Sequence, residues 1–147
     1  MESEIAKEDR KKDQIEEVLN EVVLARLGTA NINTCQPHVV PVWYLWDGES
    51  IWISAFTSTR KVKDLQSNQR CSILVEPSSG EGKLQAVLFE GVAELISEPR
   101  QVVKEISLRI YTRYLGSEGV LAEDPQSWSI DPENMIVKLT PARIFTW

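Results

Sequence analysis

Asp47-Gly48 sits between two runs rich in β-branched and aromatic residues, His38–Trp46 and Ile51–Phe56. That dipeptide is the turn chemistry of a tight hairpin, so the two runs are expected to lie antiparallel. Pro41, in the middle of the first run, cannot donate to a ladder. The strand must therefore be an edge, be bulged, or face a ligand at that point. A hairpin at the centre and no regular strand–helix alternation argue against a doubly wound parallel sheet.

The other segments follow the same pattern. Residues 1–13 are charged and nearly without apolar content, which predicts a flexible start before one domain over 14–147. From Gln14, the residues Ile15, Val18, Leu19 and Val22 fall at helical spacing. Strands are expected at Ala25–Asn31, Arg70–Glu76, Leu84–Ile96 and Met135–Trp147, the last broken by Pro141, with a turn at 78–83. Ser97-Glu98-Pro99 opens a predicted helix over about 98–115, whose buried face would be Val103, Ile106, Ile110 and Tyr114. Residues 117–134 read as an acidic, turn-rich link around Trp128. The sum is a mainly β chain: a six-stranded antiparallel barrel with helical additions.

Composition removes several functions. The 147 residues suffice for one domain with a real core. A net charge of −6 argues against nucleic acid or an anionic membrane as the main partner. No apolar run is long enough to span a bilayer. Cys35 and Cys71 lie far apart and outside any paired motif, and His38 is the only histidine. Neither a metal site, nor a disulfide framework, nor a histidine relay is expected, and a cytoplasmic location is.

Against this acidic background, one basic pair stands out. Ile51–Phe56 is followed by Thr57, Ser58 and Thr59, residues that cap helices, and then by Arg60 and Lys61 in the first turn of a helix running to about Ser67. Cations at the positive end of a helix oppose its dipole. An anion bound over that turn by N–H groups, hydroxyls and both side chains would explain them, and a phosphate is the usual occupant. The competing reading is a pair that points into solvent.

The string PHVVPVWYLWDGESIWISAFTSTRKVKDLQSNQRCSILVEP at 37–77, followed by LFEGVAEL at 88–95, resembles the pyridoxamine 5′-phosphate oxidase-like family of flavin-binding split β-barrels. The order P-V-W, D-G, strand, T-x-R-K, short helix, F-E-G carries the resemblance, and MIVKLTPARIFTW is similar to the closing strand of short members. The resemblance implies flavin mononucleotide (FMN), or the related deazaflavin coenzyme F-420, at the interface of a homodimer. It implies that Arg60 and Lys61, with Ser58 and Thr59, hold the phosphate. It implies that the ring packs on Val40, Pro41, Val42 and Trp43 and on Ser54 and Ala55, and that Gln85 bonds to it. His38 is read as a surface residue or a lining of the pocket. Tyr111, Arg113, Tyr114 and Trp128 are candidates for the substrate side, with Tyr114, on the apolar face of its helix, expected to pack on the barrel and Trp128 to reach across the dimer.

Some positions depart from the family. Val39 and Tyr44 stand where true pyridoxamine phosphate oxidases carry basic residues, and their longer C-terminal substrate motif has no counterpart before Trp147. Asp64 replaces the usual Asn. Oxidation of pyridoxamine phosphate is therefore not expected. Three readings remain: an FMN-dependent oxidoreductase on a small molecule, with no catalytic residue assigned; a deazaflavin reductase using extra cations such as Lys63, Arg100 or Arg109; and a non-catalytic flavin- or haem-binding protein.

Overall fold

The computed structural model describes residues 1–78 and 82–147. Its strands are β1 Ala25–Ala30, β2 Pro37–Val42, β3 Leu45–Trp46, β4 Ile51–Phe56, β5 Arg70–Val75, β6 Val87–Ile96, β7 Asn134–Leu139 and β8 Arg143–Thr146. Its helices are α1 Glu4–Asn20, α2 Arg60–Ser67, α3 Arg100–Gly119 and α4 Glu123–Ile130. The sheet order is β2-β1-β5-β6-β7-β4-β3, with β8 also on β6, and every pairing is antiparallel. The two end strands, β2 and β3, are separated in sequence by Trp43 and Tyr44 alone. Three peptide steps of ~3.8 Å cannot bridge a flat sheet of seven strands about 4.8 Å apart, so the sheet must curl until its edges meet. The result is a barrel with a seam at residues 43–44.

Eight strands appear where six were expected, because two of the six break. The run His38–Trp46 breaks at Tyr44, whose fully buried ring drops inward and whose hydroxyl donates to the Leu19 carbonyl (2.9 Å). The hairpin at Asp47-Gly48 therefore joins β3 to β4, while β2 turns away to the opposite edge and pairs with β1. The terminal strand breaks at Pro141. Ala93 faces Leu139 and Glu90 faces Arg143, three steps on β6 against four on its partner, which is a bulge. Gly91 lies under that bulge. A Cβ there would stand 2.9 Å from Leu139 Cδ1 and 3.3 Å from the Ala142 nitrogen.

Alternation fills the interior. Ile51, Ile53 and Ala55 of β4, Cys71, Ile73 and Val75 of β5, and Val87 and Phe89 of β6 all point inward and are buried. A one-residue slip would turn each of these sets to solvent, at about 1.5–3 kcal/mol per large side chain. α1 adds Ile15, Val18 and Leu19 to the same core, and α2 adds Val62 and Leu65.

The helices differ more from the expected bounds. α1 starts at Glu4, upstream of Gln14, with Ser3 accepting from the Ala6 N–H. α3 is entered through Pro99 without a hydroxyl cap and runs to Gly119, bending at Gly116 with φ +81°. Its buried residues are Val103, Ser107, Ile110 and Tyr111, not the expected set with Ile106 and Tyr114. The stretch read as a turn-rich link contains α4. Glu123 and Asp124 in its first turn favour the helix dipole, and Pro125 is tolerated at such a position. The turn expected at 78–83 falls partly outside the described residues. Among the described residues, no helix is long and apolar enough to cross a membrane.

Candidate functional site

At the seam, the end of β2, the middle of β4, the first turn of α2 and one face of α3 enclose a cleft of about 350 Å³. Its walls are Leu24, Pro41, Val42, Trp43, Ser54, Lys61, Ile110 and Tyr111. Strand alternation selects them. Val42 is buried, Val40 packs against the barrel core, and Pro41 between them is exposed. β2 is an edge strand, so the donor missing at Pro41 has no ladder to break. Ser54 is the outward member of β4 between inward Ile53 and Ala55. Of the expected ring-contacting residues, Pro41, Val42, Trp43 and Ser54 thus meet in one place, while Val40 and Ala55 lie behind them on the core side.

The aromatic wall is layered. Trp43 stacks on Tyr114 (4.9 Å between centroids, 5° between planes) and meets Tyr111 edge-on, and Tyr111 meets Trp128 edge-on. The Tyr114 hydroxyl donates to the Val23 carbonyl (2.7 Å) and accepts from the Tyr44 N–H (3.2 Å), so this ring is a support for Trp43 and not a free surface. Tyr111, read as the less buried of the two, is 6% exposed and lines the cleft. Behind Ser54 and Tyr111 lies a polar cluster absent from the sequence reading. Ser54 Oγ is 2.8 Å from the Tyr111 hydroxyl and 2.7 Å from Asn134 Oδ1, and Asn134 Nδ2 donates to Ser107 Oγ (2.9 Å). Ser107, interrupting an apolar helix face, was the available signal.

The basic pair divides. Lys61 forms part of the cleft wall and pairs with no carboxylate among the described residues, and burial holds its ammonium below the ordinary value of 10.5. Arg60 is half-exposed outside the cleft lining and lies 3.8 Å from the buried carboxylate of Asp64, which accepts from Thr29 Oγ1 (2.9 Å). Asp64 is thus the link between α2 and β1. Thr59 Oγ1 turns back to donate to the Phe56 carbonyl (2.6 Å) instead of accepting from the first turn of α2. Ser58 is exposed beside it. Polar N–H groups at the positive end of a helix, with Lys61 next to them, can hold an anion.

Other candidates are placed elsewhere. Gln85 is exposed before the start of β6. Ser54 pairs with Ile136, which in turn pairs with Ile96 at the far end of β6, so within one chain Gln85 does not reach the cleft. His38 faces Thr29 across the β2–β1 pair, outside the cleft lining. Arg113 donates to the carbonyls of Leu19 and Glu21 at the C-terminal end of α1 and lies over the Tyr44 ring (4.8 Å). A guanidinium there satisfies helix-end carbonyls and complements the dipole. Arg100 is likewise bound to the carbonyls of Ser97, Asp131 and Asn134.

A family model described as pyridoxamine 5′-phosphate oxidase matches residues 12–147. No curated protein matches the sequence. Among solved structures, a conserved hypothetical protein of Mycobacterium tuberculosis is 25% identical, with a TM-score of 0.75 over 100% of this chain and 85% of its own. An F420 reductase is 21% identical, with a TM-score of 0.71 over 88% and 94%. HutZ, the haem storage protein of Vibrio cholerae, is 19% identical, with a TM-score of 0.71 over 91% and 92%. The last two likenesses are of fold, and fold alone does not fix chemistry.

Proposed function

The chain belongs to the pyridoxamine 5′-phosphate oxidase family, and from that premise we propose that it binds FMN in the seam cleft and serves as an oxidoreductase on a small organic molecule. The observation that carries the reading is Lys61: a desolvated ammonium with no carboxylate partner among the described residues, set against an apolar and aromatic wall beside a helix start. Partial burial of a cation without a partner has a cost, and a phosphate would relieve it. Lys61 and the first-turn N–H groups of α2, assisted from outside by Arg60 and by Ser58, would hold the phosphate. Pro41, Val42 and Trp43 would support the ring, and Ser54 and Tyr111 would close its polar side. When bound, FMN supplies the hydride or electron chemistry, and the chain supplies binding, orientation and exclusion of water.

Arg100 is occupied by three backbone carbonyls, which leaves Lys63 and Arg109 as the exposed cations for the long acidic tail of a deazaflavin and favours FMN. Tyr44 is buried and bound to the end of α1, so the strand has no basic group there to meet a vitamer phosphate. Leu24, a cleft wall residue, is 46% exposed, which leaves an open side that a second copy of the chain would cover in a homodimer. A cytoplasmic location accords with two free thiols.

Protein purified from cells should be yellow, and mass spectrometry of the compound released on heating should give FMN. The double variant Arg60→Ala, Lys61→Ala should lose the cofactor and keep the wild-type circular dichroism spectrum. Full flavin occupancy in that double variant would overturn the assignment.

A further inference from the structure

The hydrogen bonds behind the cleft have a fixed direction. Asn134 Nδ2 donates to Ser107 Oγ (2.9 Å) and approaches the Ser129 carbonyl (3.4 Å), so its amide nitrogen is on that side and Oδ1 faces Ser54. A carboxamide oxygen only accepts, hence the Ser54 proton goes to Asn134 Oδ1 (2.7 Å). Ser107 Oγ donates to Ser54 Oγ (3.2 Å). With its one proton given away, Ser54 can only accept from Tyr111 at 2.8 Å, and both of its lone pairs are then used. The Tyr111 proton is thereby turned away from the cleft. Burial raises the Tyr111 phenol above its ordinary value of 10.0, so it stays protonated at neutral pH.

From this one-way chain, with Asn134 as the positioning residue and Tyr111 as the specificity-determining one, we infer that the cleft accepts a hydrogen bond at Tyr111 and so selects a ligand with an N–H there. The Tyr111 oxygen keeps unused acceptor capacity, whereas Ser54 beside it has none. Lys61, also on the cleft wall, is a donor and nothing else. The ligand must therefore present an anionic or acceptor group to Lys61 and a donor to Tyr111. A ligand offering a carbonyl or a methylated nitrogen at Tyr111 would meet lone pair against lone pair, or a steric block. This deepens the flavin reading and rests on it: the isoalloxazine ring of oxidised FMN has a single N–H, the imide at N3.

The test titrates wild type, Tyr111→Phe and Ser54→Ala with FMN and with N3-methyl-FMN, following quenching of flavin fluorescence. Wild type should prefer FMN by about five- to tenfold, the size of one hydrogen bond. Tyr111→Phe should bind the two flavins equally. Ser54→Ala returns the phenol proton to the cleft and should narrow the preference with Tyr111 still present. Loss of packing alone would weaken both flavins in proportion and leave the ratio intact. A ratio unchanged in both variants, or equal binding by wild type, overturns the inference while leaving the flavin site standing. Failure of wild type to bind either flavin overturns both.

Discussion

The seam cleft encloses about 350 Å³, and a groove on the outer face of β1, β5 and β6 encloses about 750 Å³, yet the smaller space has the chemistry. The groove is formed by small or backbone-dominated positions such as Gly28, Ala30, Gly91 and Ala142, with Arg70 and Arg143 exposed at its edges. Two of its polar members are already committed: Thr29 donates to Asp64, and Asn68 Nδ2 donates to the Ala30 carbonyl (3.4 Å). Burial pushes the Cys71 thiol up to about 11, which leaves it a poor nucleophile. The cleft instead has a half-buried cation, two aromatic walls and a directed hydroxyl pair. The groove is large because the pleat is shallow over glycines; the cleft is small because side chains converge there, and convergence is what a binding site requires.

The largest effect that would separate the two regions comes from Lys61→Ala, which should weaken FMN binding about 10- to 100-fold, the size of a charge-assisted hydrogen bond. The control Arg143→Ala, at the groove edge, should leave the flavin titration unchanged. Equal losses would mean that the groove is part of the site. Next in size, Gly91→Val should destabilise the fold by about 1–3 kcal/mol in urea unfolding, because its Cβ would enter space held by Leu139 and the Ala142 backbone. The variant should still bind FMN where it folds. Smaller again, Arg60→Ala should cost flavin affinity only a few-fold, since that guanidinium is half-exposed and already near Asp64. A loss at Arg60 matching that at Lys61 would show that the arginine leaves Asp64 to grip the ligand.

Much of this contrast was legible in the sequence, for reasons that differ between elements. Local chemistry gave the hairpin at Asp47-Gly48, α2 and the alternation of β4 and β5, because turn residues and period-2 burial need no knowledge of the rest of the chain. The resemblance pointed to Val40, Pro41, Val42, Trp43, Ser54, Ala55 and Gln85 and, together with the local charge pattern, to Ser58, Thr59, Arg60 and Lys61; of these, Pro41, Val42, Trp43, Ser54 and Lys61 line one cleft. The break at Pro141 was legible, because proline cannot donate to a ladder, whereas the break at Tyr44 was not, because it arises from a contact made at a distance, with Leu19. Asn134 and Ser107 escaped for the same reason: each looks like an ordinary polar residue until β7 is laid against β4 and α3. Tyr111 lines the cleft and Tyr114 packs behind Trp43, as expected, but Tyr111 is the more buried of the two, because apolar spacing on α3 does not foresee Ser107 facing a polar cluster.

The smallest expected effect is a pH dependence particular to the cleft. Burial lowers the Lys61 pKa below 10.5, so the ammonium loses its proton earlier on raising pH than an exposed lysine would. For the free protein the sign is that of a cation depressed by folding: the unfolded state binds more protons in the window between the two values, and stability rises with pH through it, by a small amount because the side chain is half-exposed. For flavin binding the sign reverses. A phosphate favours the charged lysine, so binding draws a proton onto Lys61, and affinity should fall as pH rises from neutrality towards 10.5. At pH values below the ionisation of the flavin N3–H itself, the fall should be a few-fold in wild type and absent in Lys61→Ala. Lys61→Arg should also remove it, since a guanidinium keeps its charge throughout the range. Anion binding in the groove, by exposed Arg70 and Arg143, would have no such lysine titration. A flavin affinity independent of pH in wild type would therefore take the phosphate away from Lys61 and reopen the question of which concavity it occupies.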